Sequence, residues 1–287
     1  MKNYPKVFVV VLNYNGGNFI KKCLTSVFKN DYPNFEVVMV DNNSNDGSLE
    51  MAKSNFSKAD FIKNEENFGY AAGNNVGIRY SLERMADYVC ILNNDTEVEK
   101  DFISRLVETM EKDNEVGIAS PVIFNGKNKQ VWFSKGKINW LKMKVIHSAN
   151  IETKDVYESD FISGCAMMIS SEVFNEVGLL DENFFLYWED ADFSYRVKKA
   201  GFKNVIVTAS WAYHFEKSQD NLENKTYWLV ISGLIFFKKH TPLFLKPWIK
   251  GYVLLRKIKN FWDVLRGKNK LAKVVKKAYK DFKNAKF

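Results

Sequence analysis

Three carboxylates, Glu189, Asp190 and Asp192, fall within four positions between two aromatic runs. Phe184, Phe185, Tyr187 and Trp188 precede them, and Phe193 and Tyr195 follow. Acids among aromatics are held by a partner, a metal or a function. One reading is a general base in an aromatic-walled cleft. The other is the first turn of a helix, where acids complement the positive end of the dipole and Asp192 pairs with Arg196 four residues on. Other candidates lie elsewhere in the chain. Asp41 follows the apolar run Val37–Val40, and Asn93-Asn94-Asp95 follows Tyr88–Leu92. A carboxylate such as Asp41 can accept from an imide N–H or a hydroxyl, and it can equally cap the following turn.

The elements that must position these groups follow from periodicity. Val7–Leu12 is a continuous apolar run, the pattern of a strand buried on both faces. Apolar residues from Phe19 to Phe28 recur at helical spacing, with Asn18 as the expected N-cap. Strands are expected at 36–40, 60–63, 88–92, 118–124, 160–170 and 205–207. Helices are expected from about 67 to 85 and over 102–110, 171–177 and 191–200, the last closed by Gly201. His214 falls just past the final strand. Residues 125–144, rich in Lys, Gly and Trp, read as a loop or hairpin. Alternating strands and helices with short connections predict a parallel sheet covered on both sides. Ligands bind beyond the carboxyl ends of such strands. Asn13–Asn15, Asp41 and Asn93–Asp95 all belong to that rim. The chain contains no GxGxxG and no GxxxxGK[ST], so neither a dinucleotide fingerprint nor a P-loop is available.

Composition narrows the class. The 287 residues are 46% hydrophobic and 26% charged, a globular balance. The net charge of +8 is unevenly spread. Residues 238–287 hold 16 Lys and Arg against 2 acids, and the remainder holds 26 against 32. Cys23, Cys90 and Cys165 are far apart in apolar contexts and read as buried thiols in a reducing compartment. The polar residues Met1–Lys6 give no sign of a secretory signal, and the longest apolar run, 227–237, is too short to span a bilayer.

Seven stretches in order then acquire a common meaning: VVLNYNGG (10–17), VDNNSNDGS (40–48), NFGYAAGNN (67–75), LNNDTEV (92–98), GLLDENFF (178–185), WEDADFSYR (188–196) and WAYHFEKS (211–218). Together they resemble the inverting family 2 glycosyltransferases of GT-A fold, in the branch that includes rhamnosyltransferase-like and galactofuranosyltransferase-like enzymes. The resemblance implies a Rossmann-like, mostly parallel α/β sheet flanked by helices. It implies a glycosyltransferase domain over 1–237, with a nucleotide-binding half to about 124 and an acceptor half over 125–237. Tyr14, Asn15, Asp41, Asn67, Gly73, Asn74 and Asn94 would border the nucleotide. Asp95 would anchor a divalent metal as the last residue of the family's DxD motif, which reads Asn-Asn-Asp here. His214 would join it, which favours Mn2+ over Mg2+ because imidazole suits Mn2+ better. Asp190 would be the general base, Glu189 would meet acceptor hydroxyls and Trp188 would stack on a sugar. The implied reaction is a single displacement from a nucleotide-diphosphate sugar, a UDP- or dTDP-sugar ahead of a GDP-sugar, to a hydroxyl of a glycan or lipid-linked acceptor. His147 and His240 have no motif context and read as structural or surface residues.

The tail is a separate question. Leu254, Ile258, Phe261 and Leu265 form one apolar stripe, and Leu271, Val274, Val275, Ala278, Tyr279 and Phe282 form another, with lysines off the stripe. Residues 238–287 thus read as basic amphipathic helices. Peripheral contact of residues 243–287 with an anionic membrane is the preferred partner, at the cytoplasmic face of the cell membrane. Nucleic acid is not expected, since no reading motif accompanies the basic face. A helix packed on the body with solvated lysines is the plainer alternative. Two rival functions stand beside glycosyl transfer. A nucleotidyltransferase on a similar sheet would need a basic phosphate loop, which 13–17 does not supply. A membrane-bound scaffold without donor chemistry would fit the altered DxD.

Overall fold

The structure, a computed structural model, describes residues 4–215, 221–267 and 269–284. The first half alternates as expected: β1 (Val7–Asn13), α1 (Asn18–Val27), β2 (Phe35–Asp41), α2 (Ser48–Asn55), β3 (Asp60–Lys63), α3 (Gly69–Glu83) and β4 (Tyr88–Asn93). Val7, Val9, Val10 and Val11 are wholly buried, so β1 is covered on both faces. β1 lies parallel between β2 and β4, and β3 extends the sheet beyond β2. The register sets Asn13 beside Asp41 and Leu12 beside Asn93. The polar ends of these strands therefore share one rim.

The second half is β5 (Thr96–Val98), α4 (Phe102–Lys112), β6 (Val116–Asn125), β7 (Val131–Phe133), β8 (Lys135–Asn139), β9 (Lys144–Ser148), β10 (Val156–Glu158), β11 (Ala166–Ser170), α5 (Ser171–Val177), α6 (Glu189–Lys199) and β12 (Lys203–His214). The main sheet runs β10-β12-β6-β11-β4-β1-β2-β3. β11 is antiparallel between β4 and β6, whereas β12 is parallel to β6. The sheet is therefore mixed but mostly parallel along its centre. β8 and β9 form a separate hairpin, which resolves the ambiguous stretch 125–144.

Several local expectations are corrected. Asn18 is the first residue of α1 and not its cap; Gly17, at φ 51°, occupies the cap. The strand expected over 160–170 begins only at Ala166, because the backbone of Ile162 and Gly164 bonds to side chains of α6 instead. β12 is much longer than 205–207 and includes His214, with an irregularity between Val207 and Trp211 that interrupts its pattern.

Beyond the sheet lie α7 (Leu222–His240), a 3-10 turn (Leu243–Leu245), α8 (Lys246–Arg266) and α9 (Ala272–Asn284). α7 runs unbroken through the division expected at 237/238. Its Ile231, Leu234, Ile235, Phe236 and Phe237 are buried. α9 packs on α7 through buried Ala278 and Tyr279, and Tyr227 donates its hydroxyl hydrogen to Asp281 at 2.8 Å. α8 instead leaves Leu254, Leu255, Ile258, Phe261, Trp262 and Leu265 exposed. No helix among the described residues is long and apolar enough to cross a membrane.

Candidate active site

The strand ends of the first half are knitted by one polar network. The Asn13 amide donates to Asp41 Oδ1 at 2.7 Å and to Ser48 Oγ at 2.9 Å. The Ser44 backbone N–H and hydroxyl donate to the two oxygens of Asp41 at 2.8 and 2.6 Å. The Asn94 amide reaches Asn13 Oδ1 at 2.9 Å, tying in the third strand end. Gly16 is required beside this network, because a Cβ there would lie 2.2 Å from Asn13 Oδ1. Asn15, at φ 50°, donates its N–H to Ser44 Oγ and accepts from Asn45 N–H.

This geometry revises three expectations of ligand contact. Asp41 is 0% exposed and its carboxylate is consumed by Asn13 and Ser44, so it braces the turn and offers a base no open edge. Gly73 makes a close backbone approach, but to Leu12 and Asn42; a Cβ would lie 2.7 and 2.9 Å from them. Asn67 closes the start of α3 by accepting from the Gly69 N–H at 2.9 Å and from the Asn42 amide. Tyr14 differs from all of these. It is 50% exposed, with a ring face open to stacking.

The other end of the rim is built differently. Asp95 follows β4, and His214 ends β12. His214 Nε2 stands 3.2 Å from Asp95 Oδ1. His214 is buried, and both its Nδ1 and Asp95 Oδ1 are buried without a hydrogen-bond partner. Donors bound to one ion at about 2.1 Å sit roughly 3 Å apart at neighbouring octahedral corners, so the pair fits two positions of a divalent cation. No cluster of three or more His, Cys, Asp or Glu among the described residues could hold a metal unaided. The remaining positions would fall to oxygen ligands from outside the protein.

The acid cluster lies at a strained helix start. Tyr187 and Trp188 take φ of 66° and 71°, the left-handed region, which costs aromatic residues on the order of 1–3 kcal/mol each. That kink turns the chain sharply into α6. Asp190 is half-buried, and its Oδ2 accepts from the Gly164 N–H at 3.0 Å while Oδ1 accepts from the Ala191 N–H at 2.7 Å. Burial pushes its carboxyl above the usual range, against the bonds from Gly164 and Ala191 and the nearby His147. Glu189 is 5% exposed and its Oε2 has no partner. Burial and the adjoining Asp190 drive its carboxyl well above the usual range.

Trp188 does not meet the expectation of a sugar platform. It is 7% exposed and packs on Phe236 and Phe237 of α7 at ring distances of 5.2 and 5.4 Å. Asp192, two positions beyond Asp190, is buried among cations. Its carboxylate meets Arg196 Nε at 2.8 Å, Lys239 Nζ at 2.8 Å and His240 Nε2 at 2.6 Å. Burial alone would raise its pKa, but His240, Arg196 and Lys239 hold it at about 2. The pairing with Arg196 is the one expected from spacing. His240 sits inside this cluster.

Residues without a sequence motif draw the parts together. The Tyr70 hydroxyl donates to the Gly164 carbonyl at 2.5 Å. Burial raises its pKa strongly, and the charges of Glu189, Asp190 and Asp95 all add to the rise, so each lies within electrostatic reach of one phenol. Trp132 of β7 packs edge-on to both His214, at 4.6 Å, and His147, at 5.0 Å. Since the charge of His147 acts on Asp190, one aromatic ring links the Asp95–His214 pair to Asp190. Asn74 is buried beside them, its amide donating to the Tyr70 carbonyl while its Oδ1 lacks a partner. Glu216–Ser218, the end of the last motif, lie outside the described residues.

Comparison with known proteins decides the family. The glycosyl transferase family 2 profile matches residues 8–178. The chain belongs to glycosyl transferase family 2. Within that family it is 31% identical over 195 residues to a low-salt glycan biosynthesis hexosyltransferase of Haloferax volcanii, covering 67% of this chain and 61% of that protein. It is 30% identical over 203 residues to a dTDP-rhamnosyl transferase of Shigella flexneri, covering 70% and 66%. The chain thus spans somewhat under two thirds of the length of these relatives. Among solved structures, a mannosyltransferase from Pyrobaculum calidifontis in complex with GDP-Man and Mn2+ aligns with TM-score 0.62 at 17% identity, covering 100% of this chain and 77% of that one. Residues 1–349 of TarS from S. aureus, in complex with UDP, align with TM-score 0.61 at 16% identity, covering 83% and 67%. These likenesses establish the GT-A fold.

Proposed function

We propose that this family 2 protein is an inverting glycosyltransferase. It moves a hexosyl or deoxyhexosyl group from a UDP- or dTDP-sugar to a hydroxyl of a glycan or lipid-linked acceptor. The observation that carries this reading is that Tyr70 and Asp190 both bond to Gly164, that Glu189, Asp190 and Asp95 all act electrostatically on Tyr70, and that His214 stands 3.2 Å from Asp95. An anionic anchor and a raised carboxyl at one place are what a single displacement needs.

The exposed ring of Tyr14 stacks on the base, and Asn15 and Asn94 border the ribose. Asp95 and His214 would hold a divalent ion, Mn2+ ahead of Mg2+, which would supply positive charge for a departing diphosphate. Asp190 takes the proton from the acceptor hydroxyl as that oxygen attacks the anomeric carbon from the face opposite the diphosphate. The N–H groups of Gly164 and Ala191 fix its two oxygens, and its raised pKa brings it nearer the working pH of a general base. Glu189 makes a hydrogen bond with an acceptor hydroxyl. Attack from the opposite face inverts the centre. The exposed apolar and basic residues of α8 rest on an anionic membrane at its cytoplasmic face.

Replacing Asp190 by Asn tests the assignment. Transfer should fall by about 10²–10⁴-fold, while nucleotide binding measured by thermal shift stays within about threefold. Near wild-type turnover by purified Asp190→Asn would refute the base.

A further inference from the structure

A groove lies away from the acid cluster, where α7, α8 and α9 meet. Its volume is about 520 Å3, within the roughly 300–1,000 Å3 of small-molecule sites. Leu234, Phe237, Ile249 and Val253 form an apolar floor. Lys238, Lys246, Lys250 and Lys257 also line it, and no acid does. Lys246 and Lys250 are exposed and form no ion pair with any described acid. Four cations over an apolar floor complement a molecule with an anionic head and a hydrocarbon body. The groove also opens onto the bare face of α8. Leu254 belongs both to its lining and to the exposed stripe, at 58% exposure, and Phe244 just before α8 is 81% exposed. Apolar side chains this exposed mark a surface that meets another apolar phase.

We propose that this groove binds one anionic phospholipid, its phosphate among Lys246, Lys250 and Lys257 and an acyl chain along the floor. The inference rests on the reading of α8 as membrane-facing and adds a discrete site to it. The lysines attract an anionic head and the floor takes up methylenes of a chain. The exposed stripe holds the protein on the surface. The groove holds a single lipid lifted partly out of it, against the helix α7 that also packs on Trp188.

Calorimetric titration of the full chain with dihexanoylphosphatidylglycerol, kept below its micelle concentration, tests the site. Saturable binding of one lipid per chain is expected. Lys246→Glu combined with Lys250→Glu should weaken it at least about tenfold, and Val253→Trp, which fills the floor, should do the same. Dihexanoylphosphatidylcholine and inorganic phosphate should each bind at least about tenfold more weakly, the first for want of net charge and the second for want of a chain. The charge-reversed side chains are exposed, so unchanged circular dichroism is expected of that variant. Absence of saturable binding, equal binding of either control compound, or indifference to both variants would overturn the site. Sedimentation with equimolar phosphatidylglycerol and phosphatidylcholine vesicles separates it from the broader reading. Phe261→Ser with Trp262→Ser should abolish pelleting yet leave the titration unchanged. A wild-type chain that pellets but does not titrate would retain the membrane reading and lose the groove.

Discussion

The two ends of the sheet rim carry similar residues under opposite conditions. At the β1–β2 end, Asp41 is fully buried and fully bonded, and Asn13 and Ser44 close a network with it. At the β4–β12 end, Asp95, His214 and Glu189 are buried or nearly so and each leaves a polar atom without a partner. Buried polar groups are normally satisfied, and an unsatisfied one costs roughly 1–3 kcal/mol. The first end therefore contributes stability and shape. The second leaves that cost unmet by protein partners, the pattern expected where stability is traded for function. The same division recurs within α6, where Asp192 is saturated with cations and Asp190 is raised.

If this division holds, substitutions at the two ends should separate activity from stability. The largest expected effect is the loss of turnover in Asp190→Asn, with the melting temperature moved by less than a few degrees. Next, Asp41→Ala should cost about 2–3 kcal/mol by stranding the Asn13 amide and the Ser44 hydroxyl. Thermal unfolding would show that as a fall of several degrees. A melting point unchanged by Asp41→Ala, together with lost nucleotide binding, would break the comparison. Asp192 should show its role through acid. Its folded pKa of about 2 lies below the ordinary 3.8, so its stabilisation is complete above about pH 4 and disappears as pH falls toward 2. Stability measured across that range should decline in the wild type and be flatter in Asp192→Asn, which starts lower by roughly 3 kcal/mol. The smallest effect has the opposite sign. Glu189 is raised above its ordinary 4.5, so ionisation disfavours the fold as pH rises above that value. Glu189→Gln should raise the melting temperature at pH 8 by about 2 °C or more and leave it unchanged near pH 4. A lower melting point at pH 8 would mean that the carboxylate is stabilised by a contact not apparent here.

Much of the fold was legible because β-branched runs such as Val7–Leu12 have few alternatives to a doubly covered strand. Acids among aromatics drew attention to 189–192, but their spacing alone fits a helix start. The roles proposed for Asp190, Asp95 and His214 came only through a resemblance, and 118 residues lie between Asp95 and His214. The parts that escaped depend on tertiary placement. Nothing local to Tyr70 or Gly164 says that they meet the helix start, and a strand pattern over 160–170 masked the turn that does it. Trp132 and His147 sit on short strands whose pairing sequence periodicity does not reveal. Trp188 was misread for the same reason. Its neighbours suggested a cleft, but the helix that covers it begins more than thirty residues later. His240 joins Asp192 across 48 positions.

Helix α7 touches the active-site loop at three heights. Ser232 donates to the Leu186 carbonyl at 2.8 Å, Gly233 lies against the Trp188 indole, and Lys239 and His240 close on Asp192. A helix advances about 100° per residue, so these contacts form a combination whose angles must all agree. Adding one residue between Gly233 and Lys239 would keep every existing side chain, yet swing the two cations about a quarter-turn off Asp192. The phase of α7, more than its chemistry, is then what sets the loop that carries Asp190.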